Sequence, residues 1–178
     1  MTAYTDKIRQ IASKLLAEGK VDMVIGFRKG SIPMMNQPLF IKKPGEVEEL
    51  IWDSNCALNL TNYVTNRKEK IGIVAKGCDS RNLVTHIIEN KITRDQLHII
   101  GVPCTGMIDR HKVNAMIEAE ITAIEESGDS IKISGNGFTK DLKKADLLQE
   151  NCAGCTHRNP VIYDELVAEL VPEQSGVD

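Results

Sequence analysis

Residues 71–104 read IGIVAKGCDSRNLVTHIIENKITRDQLHIIGVPC, and this stretch decides the fold. Ile71 to Ala75 and Leu97 to Val102 are short, β-branched and nearly all apolar, the composition of strands buried on both faces of a parallel sheet. Between them, Arg81 to Asn90 sets Leu83, Val84, Ile87 and Ile88 at helical spacing, so the segment reads strand, loop, helix, strand. A right-handed crossover makes two such strands parallel. Cys78 and Cys104, each just past its strand, therefore emerge at one carboxyl edge, where open α/β sheets bind ligands. A lone free cysteine is usually a small buried hydrophobe; two in matched loops point to a metal or redox site.

A later segment, ENCAGCTHRNP (150–160), completes a set. Cys152 and Cys155 form a C-x-x-C, whose spacing lets two thiolates of one turn grip one metal centre. Cys78, Cys104, Cys152 and Cys155 are the candidate ligands, and four thiolates satisfy either a tetrahedral zinc site or a 4Fe-4S cluster. A thioredoxin-type dithiol would open a helix directly after an early strand, whereas this C-x-x-C follows a charged, helical-looking stretch near the end of the chain. Cys56, in WDSNCALNLTNY (52–63), is a fifth candidate that serves equally as ligand, neighbour of the ligands or core.

Outward from this core, Thr5 to Glu18 reads as an amphipathic helix with Ile8, Ile11, Leu15 and Leu16 inward and Gly19 as its cap. Val21 to Phe27 is a strand, Leu39 to Lys42 a second extended piece, and a helix starts after Pro44. Leu58, Leu60, Tyr63 and Val64 suggest a further amphipathic helix. After Cys104, a short helix over His111 to Glu118 precedes ITAIEESGDSIKISGNG, whose alternation around Gly-Asp predicts a β-hairpin insertion over 119–137. Asp141 to Gln149 and Val161 to Leu170 are expected to be helical, and 171–178 to be a flexible tail. The fold expected is a single α/β domain over 1–178: a mostly parallel sheet flanked by helices, with a small hairpin insertion and C-terminal helical segments.

Composition narrows the function. Five cysteines are an odd number in 178 residues, no apolar signal segment opens the sequence, and no run approaches the roughly 18 residues needed to span a membrane. These features predict a cytoplasmic metal or redox protein rather than a disulfide framework. With 42% hydrophobic residues the chain has enough apolar material for a real core, and a net charge of −3 argues against a dedicated nucleic-acid binder. Aromatics, at 4%, are too sparse for base-stacking platforms.

The phrases VDMVIGFRKG, NCALNLTNY, KGCDSR, IIGVPC and CAGCTHRNPVIYDEL occur in an order that resembles the beta-subunit family of coenzyme-deazaflavin hydrogenases and dehydrogenases. The likeness spans about residues 15 to 170. It is nearer still to short iron-sulfur relatives that accompany heterodisulfide-reductase-like electron-transfer complexes of anaerobes. The resemblance implies a 4Fe-4S cluster on Cys78, Cys104, Cys152 and Cys155, with FAD nearby in the full-length enzymes. It also implies iron-sulfur or flavoprotein subunits as partners. The chain carries no ferredoxin-type cysteine run, so further clusters would lie on other chains.

Local chemistry agrees with an anionic group at this edge. Gly77, Asp79, Ser80 and Arg81 at the start of the expected helix, and Thr105 and Gly106 after Cys104, are candidate cofactor-binding residues through backbone N–H groups and a nearby cation. Lys76 and Arg81 would either offset negative charge at the site or form ordinary solvent salt bridges. KGCDSR and GFRKGS each have the glycine and cation of a flavin phosphate site, though neither is a full phosphate-loop motif. His86, His98, His111 and His157 have no partner at a spacing that suggests acid–base catalysis, so no catalytic residue is assigned; His157 would suit a zinc site in place of a thiolate. The reading is a non-catalytic electron-transfer subunit, with a flavin-binding oxidoreductase subunit or a zinc-containing docking protein as alternatives.

Overall fold

A computed structural model of the protein describes residues 2–173. A five-stranded sheet, β1 (Met23–Arg28), β2 (Gln37–Ile41), β3 (Ile71–Ala75), β4 (Leu97–Gly101) and β8 (Glu165–Leu166), has the order β2-β1-β3-β4-β8. β1, β3, β4 and β8 run parallel, and only β2 is antiparallel to its neighbour. Helix α1 (Thr2–Ala17) packs Leu15 over Gly72 of β3, where a side chain would meet Val24 at 2.9 Å. Helix α2 (Gly77–Ile88) is the crossover between β3 and β4. β3 is buried at all five positions, as its uninterrupted apolar run requires. The fold class read from the sequence is the one observed.

Several local expectations are corrected. The inward stripe of α2 contains Ser80, Leu83 and His86, while Ile88 is 73% exposed; five residues place Ile88 about 140° around the helix from Leu83. The insertion is longer than a hairpin: β5 (Ile121–Ser127), β6 (Ser130–Gly135) and β7 (Phe138–Lys143) form a three-stranded antiparallel sheet. The first part of the expected helix over Asp141–Gln149 is therefore strand, because Phe138 and Leu142 alternate with polar residues and pair with Gly135 and Ile131. A single 3-10 turn (Lys144–Leu147) follows; the short helix expected after Cys104 is α3 (Arg110–Met116), and the four-residue helix α4 (Glu150–Ala153) comes after the appended sheet. Val161 to Leu170 is not a helix. Its backbone closes the edge of β4 instead, with Asp164 N–H donating to the Ile99 carbonyl and Val167 N–H to that of Gly101. The expected helices after Pro44 and Cys56 are 3-10 turns, Pro44–Glu49 and Leu60–Tyr63.

The main core surrounds the parallel sheet, and a smaller apolar cluster of Ile108, Val113, Ile117, Ile131, Ile133 and Leu147 lies beneath the appended sheet. Of the tail expected from 171 to 178, Val171 exchanges hydrogen bonds with the Asn159 side chain, and the Glu173 carboxylate accepts from Asn159 N–H. Residues 174–178 lie outside the described part. No helix among the described residues is long and apolar enough to cross a membrane.

Candidate functional site

Parallel pairing of β3 with β4, Ala75 opposite Gly101, puts the Cys78 and Cys104 loops side by side. Cys78 occupies the first turn of α2, and α4 with the turn that follows it brings Cys152 and Cys155 to the same cavity. All four thiols line one cavity of about 90 Å³, together with Ala57, Lys76, Gly77, Met107, Gln149 and Arg158. That volume is well above the roughly 10–15 Å³ one water needs. No cysteine of the chain is in a disulfide; Cys78 is exposed, and Cys104, Cys152 and Cys155 are half-buried. Among the described residues, no three His, Cys, Asp or Glu side chains converge on one metal-bonding point.

The cavity is assembled by close backbone approach. A Cβ added at Gly77 would lie 2.8 Å from the His157 carbonyl oxygen and 2.9 Å from that of Asn159, so glycine at this position lets the C-x-x-C segment abut the start of α2. Cys104 N–H donates to the Arg158 carbonyl at 3.0 Å, and the Arg158 guanidinium donates to the Cys152 carbonyl at 3.4 Å. Gly106, at φ +103°, directs its N–H to the Cys104 sulfur at 3.4 Å. The Cys155 thiol points to the His157 carbonyl at 3.3 Å.

Lys76 belongs to the cavity wall rather than to the solvated surface. It is 2% exposed, and its ammonium donates to the Asp79 carboxylate at 2.9 Å and to the carbonyls of Cys56 and Leu58 at 3.1 and 2.9 Å. Three donors meet three acceptors, and the rings of Phe27 and Trp52 lie 5.4 and 5.9 Å from the nitrogen. Burial works against the charge, but the Asp79 carboxylate holds its pKa above the usual lysine value. It is a buried, permanently placed cation in the cavity wall, not a solvent salt bridge. The signal in the sequence was a lysine directly after a fully apolar strand with an aspartate three residues on, since Asp79 also accepts from the Lys76 backbone N–H.

The thiols respond to the same surroundings. Cys78 is exposed as a residue, but lost hydration where it lines the cavity, reinforced by the Asp79 carboxylate, pushes its thiol up to about 11, with Lys76 pulling the other way. Burial also raises Cys104, opposed by the Gly106 N–H and Lys76. Without a metal the two post-strand cysteines are therefore neutral thiols near pH 7, and a bound metal must displace their protons.

The remaining candidates divide. Gly77 and Gly106 line the cavity, whereas Asp79, Ser80, Arg81 and Thr105 support its walls. Ser80 donates to the Gly77 carbonyl and accepts from Val161 N–H, while Arg81 donates to the Gly77 and His157 carbonyls. Thr105 accepts from Lys144 at 2.8 Å. Cys56 does not line the cavity. It is fully buried, bonded at sulfur by Asn36 and the Asp53 N–H, and burial lifts its thiol to about 12.

No protein-family model matches the chain. It is 26% identical over 169 residues to the F420-dependent formate dehydrogenase subunit beta of Methanocaldococcus jannaschii, an alignment covering 84% of this chain and 44% of that protein. It is 24% identical to the F420-dependent formate dehydrogenase 1 subunit beta of Methanococcus maripaludis, covering 82% and 42%. The chain thus spans under half the length of the curated relatives it matches. In structure it resembles a chain of the F420-reducing [NiFe] hydrogenase complex from Methanosarcina barkeri, with a TM-score of 0.64 and 12% identity over 89% of this chain and 59% of that one. That likeness establishes the shared fold, and the sequence comparisons make the chain a distant relative of F420-dependent formate dehydrogenase beta subunits.

Proposed function

We propose that the chain is an electron-transfer subunit of a larger cytoplasmic oxidoreductase, of the deazaflavin-dependent or heterodisulfide-reductase-like kind, and that it holds a 4Fe-4S cluster on Cys78, Cys104, Cys152 and Cys155. The observation that carries this reading is that four free thiols from three separate segments line one cavity. Their chemistry fits the group: soft thiolate donors suit iron-sulfur clusters, and N–H donors at sulfur with a buried cation nearby stabilise an anionic centre. When bound, such a cluster passes electrons one at a time. This chain's residues would hold it and set its electrostatic surroundings.

Iron and sulfide analysis of anaerobically purified protein, with its visible spectrum, tests the reading. A brown absorption bleached by dithionite is expected. A colourless protein with stoichiometric zinc would overturn it in favour of a docking protein with a zinc knot.

A flavin role has one observation of its own. The GFRKGS loop borders a groove of about 600 Å³ lined by Arg9, Lys29, Gly30, Ser31 and Trp52, within the roughly 300–1,000 Å³ typical of ligand pockets. Acid extraction followed by flavin fluorescence decides whether FAD occupies it in the purified complex.

A further inference from the structure

The appended sheet reaches the Cys104 loop through one buried ion pair. Glu126, on the inward side of β5, and Lys144, just after β7, meet at 2.6 Å with both side chains 7% exposed. The Glu126 carboxylate also accepts from the Ser54 hydroxyl at 2.7 Å and the Ser54 N–H at 3.0 Å. The Lys144 ammonium donates onward to the Thr105 hydroxyl at 2.8 Å. Ser54 closes the circuit, because its carbonyl accepts from Ile108 N–H at 2.9 Å. Residues 105 and 108 are therefore both tied to one polar cluster that the appended sheet completes. The intervening Gly106 is pressed on Leu148, whose Cδ2 lies 2.8 Å from where its Cβ would be.

We propose that the appended sheet is a clamp for the cysteine cavity, and that Lys144 is a positioning residue for Cys104 acting through Thr105. Charged residues facing inward from a small sheet are costly unless paired and hydrogen-bonded, and here every partner outside the sheet belongs to a segment that shapes the Cys104 loop. Arg158 holds the backbone of Cys104 from one side, and Lys144 holds its neighbour from the other. The geometry stands on its own; its purpose rests on the reading of Cys104 as a ligand.

Thr105→Val removes the hydroxyl while leaving the Lys144–Glu126 pair intact, and Thr105→Ser keeps it. In the metal-free protein, peptide-resolved alkylation by iodoacetamide should show Cys104 reacting about tenfold faster in Thr105→Val than in wild type, the factor a lost hydrogen bond to a charged group corresponds to. Cys152 and Cys155 should be unchanged, and Thr105→Ser should match wild type. Equal Cys104 rates in all three proteins would overturn the clamp, as would a parallel rise at every cysteine, which marks general loosening. If Cys104 responds as expected but wild type takes up no iron on anaerobic reconstitution, the clamp stands and the cluster reading fails.

Discussion

Replacing Gly77 by alanine tests how the cavity is built, because the added methyl group has nowhere to go. It would sit 2.8 Å from the His157 carbonyl oxygen, 2.9 Å from that of Asn159 and 3.1 Å from the Arg158 carbonyl carbon. All three are backbone atoms, so no side-chain rotation relieves the contact and the 157–159 segment must retreat from α2. That segment carries the carbonyl bonded by Cys104 N–H, so its retreat also separates the C-x-x-C from the post-strand cysteines. Overpacking of this kind costs about 1–3 kcal/mol, partly offset by the better helix propensity of alanine, which is worth at most about 1 kcal/mol. For a chain of this size each kcal/mol lowers Tm by about 2–4 °C. Thermal and urea melts of metal-free Gly77→Ala should therefore show a loss, and anaerobic reconstitution should yield less iron per chain. Gly45→Ala is the control: nothing lies within 4 Å of its Cβ position, so stability should hold or rise slightly. A Gly77→Ala protein as stable and as fully loaded as wild type would refute the close approach of the two segments.

Serine at Cys78, Cys104, Cys152 or Cys155 should each sharply reduce iron content, and full loading of two or more of these variants would show the wrong ligands were chosen. Cys56→Ser should retain its iron but lose about 1–3 kcal/mol in urea melts, because a hydroxyl replaces a buried sulfur; loss of the cluster from this variant alone would move Cys56 into the ligand set. Lys76→Met strands the fully buried Asp79 carboxylate and should cost about 3–5 kcal/mol, much of it recovered in Lys76→Met/Asp79→Asn. Equal stability of the single and double variants would show that the pair is not coupled. The metal-free protein should also lose stability as pH rises above the unfolded thiol value of about 8.5, since folded Cys78 and Cys56 stay protonated up to about 11 and about 12 while the unfolded chain ionises. Cys56→Ala should flatten that decline, and an unchanged slope would contradict the burial of this thiol.

Residues 71–104 determined the parallel pairing by themselves, because two apolar β-branched runs joined by a helix-length segment have one common arrangement. That pairing and the C-x-x-C spacing were enough to anticipate four cysteines at one edge, since periodicity and order are local properties of the chain. Features set by partners distant in sequence depend on the assembled fold. Val161 to Leu170 has helical spacing yet lies along β4, whose backbone groups needed partners. Phe138 to Lys143 became a strand because β6 offered a free edge with matching apolar positions. Cys56 is buried in the core away from the cavity lining, and Lys76 entered the cavity wall because the carbonyls of Cys56 and Leu58, and the Phe27 and Trp52 rings, surround it. The Glu126–Lys144 pair joins positions 18 residues apart and reaches Ser54 and Thr105 in other segments. No periodicity along the chain records such a meeting, because it depends on where separate elements come to rest in space.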